Sequence, residues 1–121
     1  MAKKILIIED EEDLAMMVQA RLEVNGYQAE VMPDGETGLE KIKVEPPDLI
    51  ILDIVMPGLD GYQVCRQIKT DASVKHIPII VLTASGQKDA EDKCLAMGAA
   101  CCMRKPFDPA KLLGKVKELI G

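Results

Sequence analysis

Two runs in this chain, Leu49-Ile50-Ile51-Leu52 and Ile79-Ile80-Val81-Leu82, are apolar at every position. A strand with one wet face alternates polar and apolar residues, so these runs belong to strands covered on both sides. The chain supplies the cover. Strand candidates at Lys4–Ile8, Gln28–Met32, Leu49–Asp53, Ile79–Thr83 and Cys101–Arg104 alternate with stretches of helical length at Leu14–Val24, Gly35–Val44, Tyr62–Lys69, Gln87–Met97 and Pro109–Ile120. Five β-α units in series predict an α/β fold, a parallel five-stranded sheet with helices on both faces.

The helical stretches carry their inward residues at helical spacing: Leu14, Met17, Val18 and Leu22; Leu39 and Ile42; Val64, Cys65 and Ile68; Leu112, Leu113, Val116 and Leu119. Their ends are marked by Gly26, by Pro46-Pro47 and by Gly98, while Pro109 suits a first helical turn. Hydrophobic residues are 48% of the chain but aromatics only 2%, so aliphatic side chains and Met must fill the core. The methionines, Met16, Met17 and Met97 among them, read as core filler. The 121 residues suit one domain, and residues 1–121 are expected to form it with no effector domain in the chain.

A net charge of −5 argues against direct binding to nucleic acid, which needs clustered Lys and Arg. No apolar run approaches membrane-spanning length, and the short run Ile5–Ile8 passes straight into acids, unlike a signal peptide. The expected setting is cytoplasmic. Of the four cysteines, Cys65, Cys94, Cys101 and Cys102, none forms a C-x-x-C pair. Cys101 and Cys102 are neighbours on a strand candidate and must point to opposite faces, so the four read as small buried apolar residues rather than zinc ligands.

In an open α/β sheet, ligands bind beyond the carboxyl ends of the strands. The residues there are Glu9 and Asp10 after the first strand, Asp53 closing the third, Thr83-Ala84-Ser85 at the fourth and Lys105-Pro106 after the fifth. Asp53 is the sharpest of these, since an acid closing a wholly apolar strand is costly to bury unless it is paired. Clustered carboxylates that a single lysine cannot neutralise call for a divalent cation, and an oxygen-only set without His or Cys points to Mg²⁺. With Lys105 beside it, such a site could hold a phosphoryl group, with Asp53 as nucleophile and Thr83 as hydrogen-bond donor. Taken alone, Glu9 to Asp13 reads equally well as a solvated acidic run favouring a helix N-terminus.

The motifs ILIIEDEE, LIILDIVMPGLDG, VLTAS and RKPF together resemble the receiver domain of two-component response regulators, the CheY-like family, over Lys3 to Ile120. The resemblance implies a flavodoxin-like three-layer sandwich with strand order 2-1-3-4-5. It implies that Asp53 is the phosphoacceptor, supplied by a histidine kinase or a phosphotransfer protein. Asp10 resembles the direct Mg²⁺ ligand, Glu9 the neighbouring acid acting through a metal-bound water, and Val55 the source of a main-chain carbonyl ligand. Thr83 and Lys105 resemble the switch hydroxyl and the phosphate-binding lysine, and the Lys105-Pro106 bond is often cis in this family. Such a domain catalyses only its own phosphorylation and dephosphorylation, and signals by phosphorylation-dependent contact with an output protein that the sequence does not identify.

Two positions depart from the pattern or bear on its kinetics. Most receivers carry Tyr or Phe three residues before the lysine; here it is Cys102. A thiol is too small for the usual threonine–aromatic coupling, so signalling through the fourth helix and fifth strand is expected to be weak or reorganised. Val55 cannot orient the water that hydrolyses an acyl phosphate, whereas Ser85 could, and a long-lived phosphoryl group is expected.

Other phosphate and acyl-transfer chemistries fit less well. A haloacid-dehalogenase-type hydrolase needs an acid where Val55 stands. A flavodoxin's phosphate loop would be repelled by Glu9 to Asp13, and the P-loop motif is absent. The lone His76 lacks the surroundings of a serine-hydrolase site and reads as a loop residue. The remaining alternative is a receiver-like interaction module that works without phosphorylation.

Overall fold

The computed structural model describes residues 2–56, 58–83 and 88–121. Ten elements alternate without exception: β1 (Lys4–Ile8), α1 (Glu12–Val24), β2 (Gln28–Met32), α2 (Gly35–Val44), β3 (Leu49–Asp53), α3 (Gly61–Lys69), β4 (Ile79–Thr83), α4 (Lys88–Ala96), β5 (Cys101–Arg104) and α5 (Pro109–Ile120). The strands form one parallel sheet in the order β2-β1-β3-β4-β5. This is the flavodoxin-like architecture, and the five strands match the expected spans. α2 and α5 also match, while α1, α3 and α4 differ by a residue or two at their ends. α1 starts at Glu12 because acids in a first turn favour its dipole, and α3 starts at Gly61 behind an Asp60 cap. The expected first residue of the fourth helix, Gln87, lies outside the described residues.

The apolar runs sit where both faces are covered: every residue of β3 and β4 is buried. Alternate residues feed two separate cores. Leu6, Ile8, Ile50, Leu52, Ile79 and Val81 pack with α2, α3 and α4, while Ile5, Ile7, Leu49, Ile51, Ile80 and Leu82 pack with α1 and α5. Cys102 joins the first core and Cys101 the second, as adjacent strand residues must. The edge strand β2 is only partly buried. Its Ala29 carbonyl accepts a bond from Gln19 Nε2, and Glu30 pairs with Lys41, so side chains from α1 and α2 cover the edge.

One expectation about the core fails. Met16 is 65% exposed and Met17 40%. α1 buries a narrow stripe of Ala15, Val18 and Leu22, and the two methionines fall off it, so they are surface residues and not filler.

Beyond the Asn25 cap of α1 stands Gly26, whose φ of +92° is the left-handed conformation that closes a helix without a Cβ penalty. The chain runs from β1 to β2 on one side and returns to β3 on the other. The sheet order therefore reverses between β1 and β3, and the crevice beyond their carboxyl ends is where Glu9 and Asp53 stand.

Candidate functional site

The acidic run after β1 divides. Glu9 is buried, its amide bonded to the Met32 carbonyl of β2 at 3.1 Å, while Asp10 to Asp13 are exposed. Glu12 and Asp13 occupy the first turn of α1. The run thus splits into a buried Glu9 and a solvated stretch that opens α1. Across the reversal point Asp53 is buried at 3% exposure, and carboxylate oxygens of Glu9, Asp10 and Asp53 lie within 4.8 Å of one another.

Lys105 brings the one ammonium bonded to this cluster among the described residues. Its amide bonds to the Thr83 carbonyl at 2.8 Å, and Lys105-Pro106 is a cis peptide. Its Nζ lies 3.2 Å from Asp53 Oδ2 and 3.3 Å from Glu9 Oε1, donating to both. The other Asp53 oxygen accepts the amide of Val55 at 3.2 Å, and Glu9 Oε1 also accepts the Glu11 amide at 3.1 Å. Glu9 Oε2 is different. It is buried, and although Nζ stands 3.2 Å away, no donor among the described residues is aligned with it.

The charges explain the titration. Burial, then the neighbouring Asp53 carboxylate, push Glu9 up to about 7. Burial pulls Lys105 down, but Asp53 and Glu9 outweigh it and hold its pKa above the ordinary lysine value. One ammonium therefore faces three carboxylates, and one buried oxygen is left without a donor. These are the conditions in which an oxygen-coordinated divalent cation fits: hard donors, excess negative charge and a buried carboxylate oxygen without a donor among the described residues.

The backbone around Asp53 is held tightly. Ile54 N bonds to the Leu82 carbonyl and Gly61 N to the Ile54 carbonyl, both at 3.0 Å. A Cβ on Gly61 would come within 2.5 Å of the Asp53 carbonyl oxygen and of Ile54 Cα, so α3 starts in direct backbone contact with the acid's own peptide. Sequence reasoning gave Gly61 no role. The only hint was the Asp60-Gly61 pair just ahead of a helix, where Asp60 and Gln63 now form a capping box.

Thr83 and Cys102 stand beside the cluster on β4 and β5. Asp53 pairs in register with Leu82, which puts Thr83 one position further along. Thr83 is fully buried; its hydroxyl makes a long 3.5 Å contact to the Met103 carbonyl, and the Cys102 thiol points at it from 3.9 Å. The hydroxyl is thus engaged with β5 and is not bonded to the acids. Val55, two residues after Asp53, is 55% exposed. His76 lies exposed in the turn before β4. Ser85 lies outside the described residues.

A model of the response regulator receiver domain matches residues 5–117. The chain belongs to that family. Among curated relatives, this receiver is 39% identical over 120 residues to the alkaline phosphatase synthesis transcriptional regulatory protein PhoP of Bacillus subtilis, covering 99% of the chain and 49% of PhoP. It is 34% identical to the response regulator PleD of Caulobacter vibrioides, covering 98% of the chain and 26% of PleD. The chain therefore spans about half of one relative and a quarter of the other. Among solved structures it superposes on chemotaxis protein CheY4 of Vibrio cholerae with a TM-score of 0.91 at 28% identity, covering 99% of the chain and all of CheY4. It matches the receiver domain of a signal transduction histidine kinase from Syntrophus aciditrophicus equally well, with a TM-score of 0.91 at 35% identity, covering 98% of the chain and 90% of that domain. The receiver is a signalling domain, and a receiver-like module that ignores phosphorylation is not favoured.

Proposed function

We propose that Asp53 is the phosphoacceptor of this receiver and that residues 1–121 act as one phosphorylation-controlled unit. The observation that supports this most is the pairing of a buried Asp53 with the Lys105 ammonium at 3.2 Å, beside two further acids at the point where the sheet order reverses. One Asp53 carboxylate oxygen attacks the phosphorus of a phosphohistidine on a histidine kinase or phosphotransfer protein. The P–N bond breaks, its electron pair returns to the imidazole, and an acyl phosphate forms. Once Asp53 is phosphorylated, Lys105 pairs with one phosphoryl oxygen and Thr83 donates its hydroxyl to another.

Asp10, Asp53 and the Val55 carbonyl are the proposed Mg²⁺ ligands, with Glu9 acting through a bound water. Bound there, Mg²⁺ would offset the carboxylates and the charge that develops on the phosphoryl oxygens. Val55 offers no polar side-chain atom beside Asp53, which favours a slowly hydrolysed phosphoryl group. The domain catalyses only its own phosphorylation and dephosphorylation and passes its state to an output partner by contact. The net charge of −5 favours protein rather than nucleic acid as the direct contact. A cytoplasmic setting suits the chemistry, and no helix among the described residues is long and apolar enough to cross a membrane.

Incubation with acetyl phosphate, followed by intact mass, tests the proposal. One phosphoryl group should be gained with Mg²⁺, little without it, and none in Asp53→Asn. Equal labelling of Asp53→Asn would refute the assignment.

A further inference from the structure

The segment between β3 and α3 contains Val55, whose carbonyl is a proposed metal ligand, and its own bonds tie it mainly to itself. Val55 N is bonded to Asp53, Gly61 N to Ile54, and Asp60 N to Gln63. Among the described residues, one side chain from elsewhere in the fold bonds to it. Glu36, in the first turn of α2, accepts the Leu59 amide on Oε1 at 3.3 Å.

The surrounding packing makes this contact specific. A Cβ on Gly35 would lie 2.8 Å from the Leu59 carbonyl oxygen and 2.7 Å from Val64, so the start of α2 is pressed against the segment with backbone close to backbone. A Cβ on Gly58 would lie 3.3 Å from the same Glu36 oxygen. Gly61, at the other end of the segment, touches the Asp53 carbonyl. Contacts therefore run from Glu36 to Leu59, and from Gly61, two residues on, to Asp53 and Ile54, the two residues before Val55.

We infer that Glu36 is a positioning residue for divalent-cation binding: it holds Leu59 from outside and, through Gly61 and Ile54, steadies the Val55 carbonyl proposed as a ligand. The inference rests on the proposed Mg²⁺ site, and it assigns Glu36 no contact with the cation or with phosphate. A segment held in its ligating shape before the cation arrives need not be ordered at the moment of binding. Two properties of Glu36 are separable. Its acceptor oxygen holds Leu59, and its charge attracts cations at a distance. Glu36→Gln keeps the first and removes the second; Glu36→Ala removes both.

Mg²⁺ titration of the unphosphorylated protein by calorimetry, with no turnover involved, decides between them. Asp10→Asn serves as the control for the site, and the Leu59 amide exchange rate reports the contact itself. Glu36→Ala should weaken Mg²⁺ binding by about three- to tenfold, less than loss of a group bonded directly to a ligand. It should also speed Leu59 exchange. Glu36→Gln should restore both to near the parent values. Parent-like Mg²⁺ binding by Glu36→Ala, with binding still lost in Asp10→Asn, overturns the inference and leaves the metal site standing. Equal weakening by Gln and Ala overturns it in favour of a bulk charge effect. A parent protein that binds no Mg²⁺, or an Asp10→Asn variant that binds it unchanged, refutes the metal site and the inference with it.

Discussion

Lys105 and Asp53 meet across the full width of β4: the lysine follows β5, the acid closes β3, and Nζ stands 3.2 Å from Oδ2. The contact needs the sheet to be assembled, because the two residues are 52 positions apart in sequence. Removing the ammonium leaves Glu9 and Asp53 facing each other uncompensated. Phosphorylation of Lys105→Met by a small phosphodonor should slow by about a hundredfold to a thousandfold, the range found for losing one preorganised electrostatic group. A time course of intact mass checks this, and a parent-like rate would remove Lys105 from the site.

Glu9 gives the fold a pH dependence with a definite sign. Its pKa rises from 4.5 to about 7 on folding, through burial first and the Asp53 charge second. Between those values the folded state holds a proton that the unfolded state has released. The stability associated with the protonated carboxyl is therefore complete below about pH 4.5 and lost as pH rises through 7. The loss is on the order of 3 kcal/mol. Hydrogen bonds from Thr37 and Ser73 hold Asp34 and Asp71 below the usual carboxylate range, so their contributions fade only at more acidic pH. Urea unfolding in chelator should show stability falling from pH 5 to pH 8, and Glu9→Gln should flatten that slope. An unchanged slope in the variant would contradict the assignment.

Gly61→Ala tests whether the site depends on the start of α3. The new Cβ would meet backbone at 2.5 Å, which no rotamer change relieves. A loss of about 1–3 kcal/mol is expected from overpacking. Phosphorylation should slow more than in Asp60→Ala, a variant expected to lose a similar 1 kcal/mol or so through its helix cap alone. Equal rates in the two variants would show that the Asp53 peptide tolerates the intrusion.

These contacts mark where the sequence was legible. The two wholly apolar runs, LIIL and IIVL, predicted a sheet buried on both faces because they are short, contain β-branched residues and alternate with helical stretches, and the strand ends then placed Glu9, Asp10, Asp53, Thr83 and Lys105 on one edge. Met16 and Met17 were misread because helical periodicity alone does not say how wide a stripe the sheet will cover. Gly61 and Glu36 were invisible for another reason: their roles come from close approach between segments distant in sequence or in direction, which no local pattern records.

Cys102 presents a thiol to the Thr83 hydroxyl at the position where the family resemblance leads us to expect an aromatic ring. The Sγ to Oγ1 distance of 3.9 Å permits only a weak bond, and the thiol has little volume to displace. Amide shifts on phosphorylation should be large near Asp53 and Thr83 and fall off before α4. Changes as large in α4 as in the loops around Asp53 would show that the switch travels by another route.

The most direct measurement is the position of the phosphoryl group. Borohydride reduces an acyl phosphate on aspartate to homoserine, and peptide mapping of the reduced, phosphodonor-treated protein locates that residue. Conversion at Asp53, dependent on Mg²⁺ and absent from Asp10 and Glu9, is the expected result. Conversion at another acid, or a stable phosphoryl group that borohydride leaves untouched, would contradict the assignment of Asp53 as the phosphoacceptor.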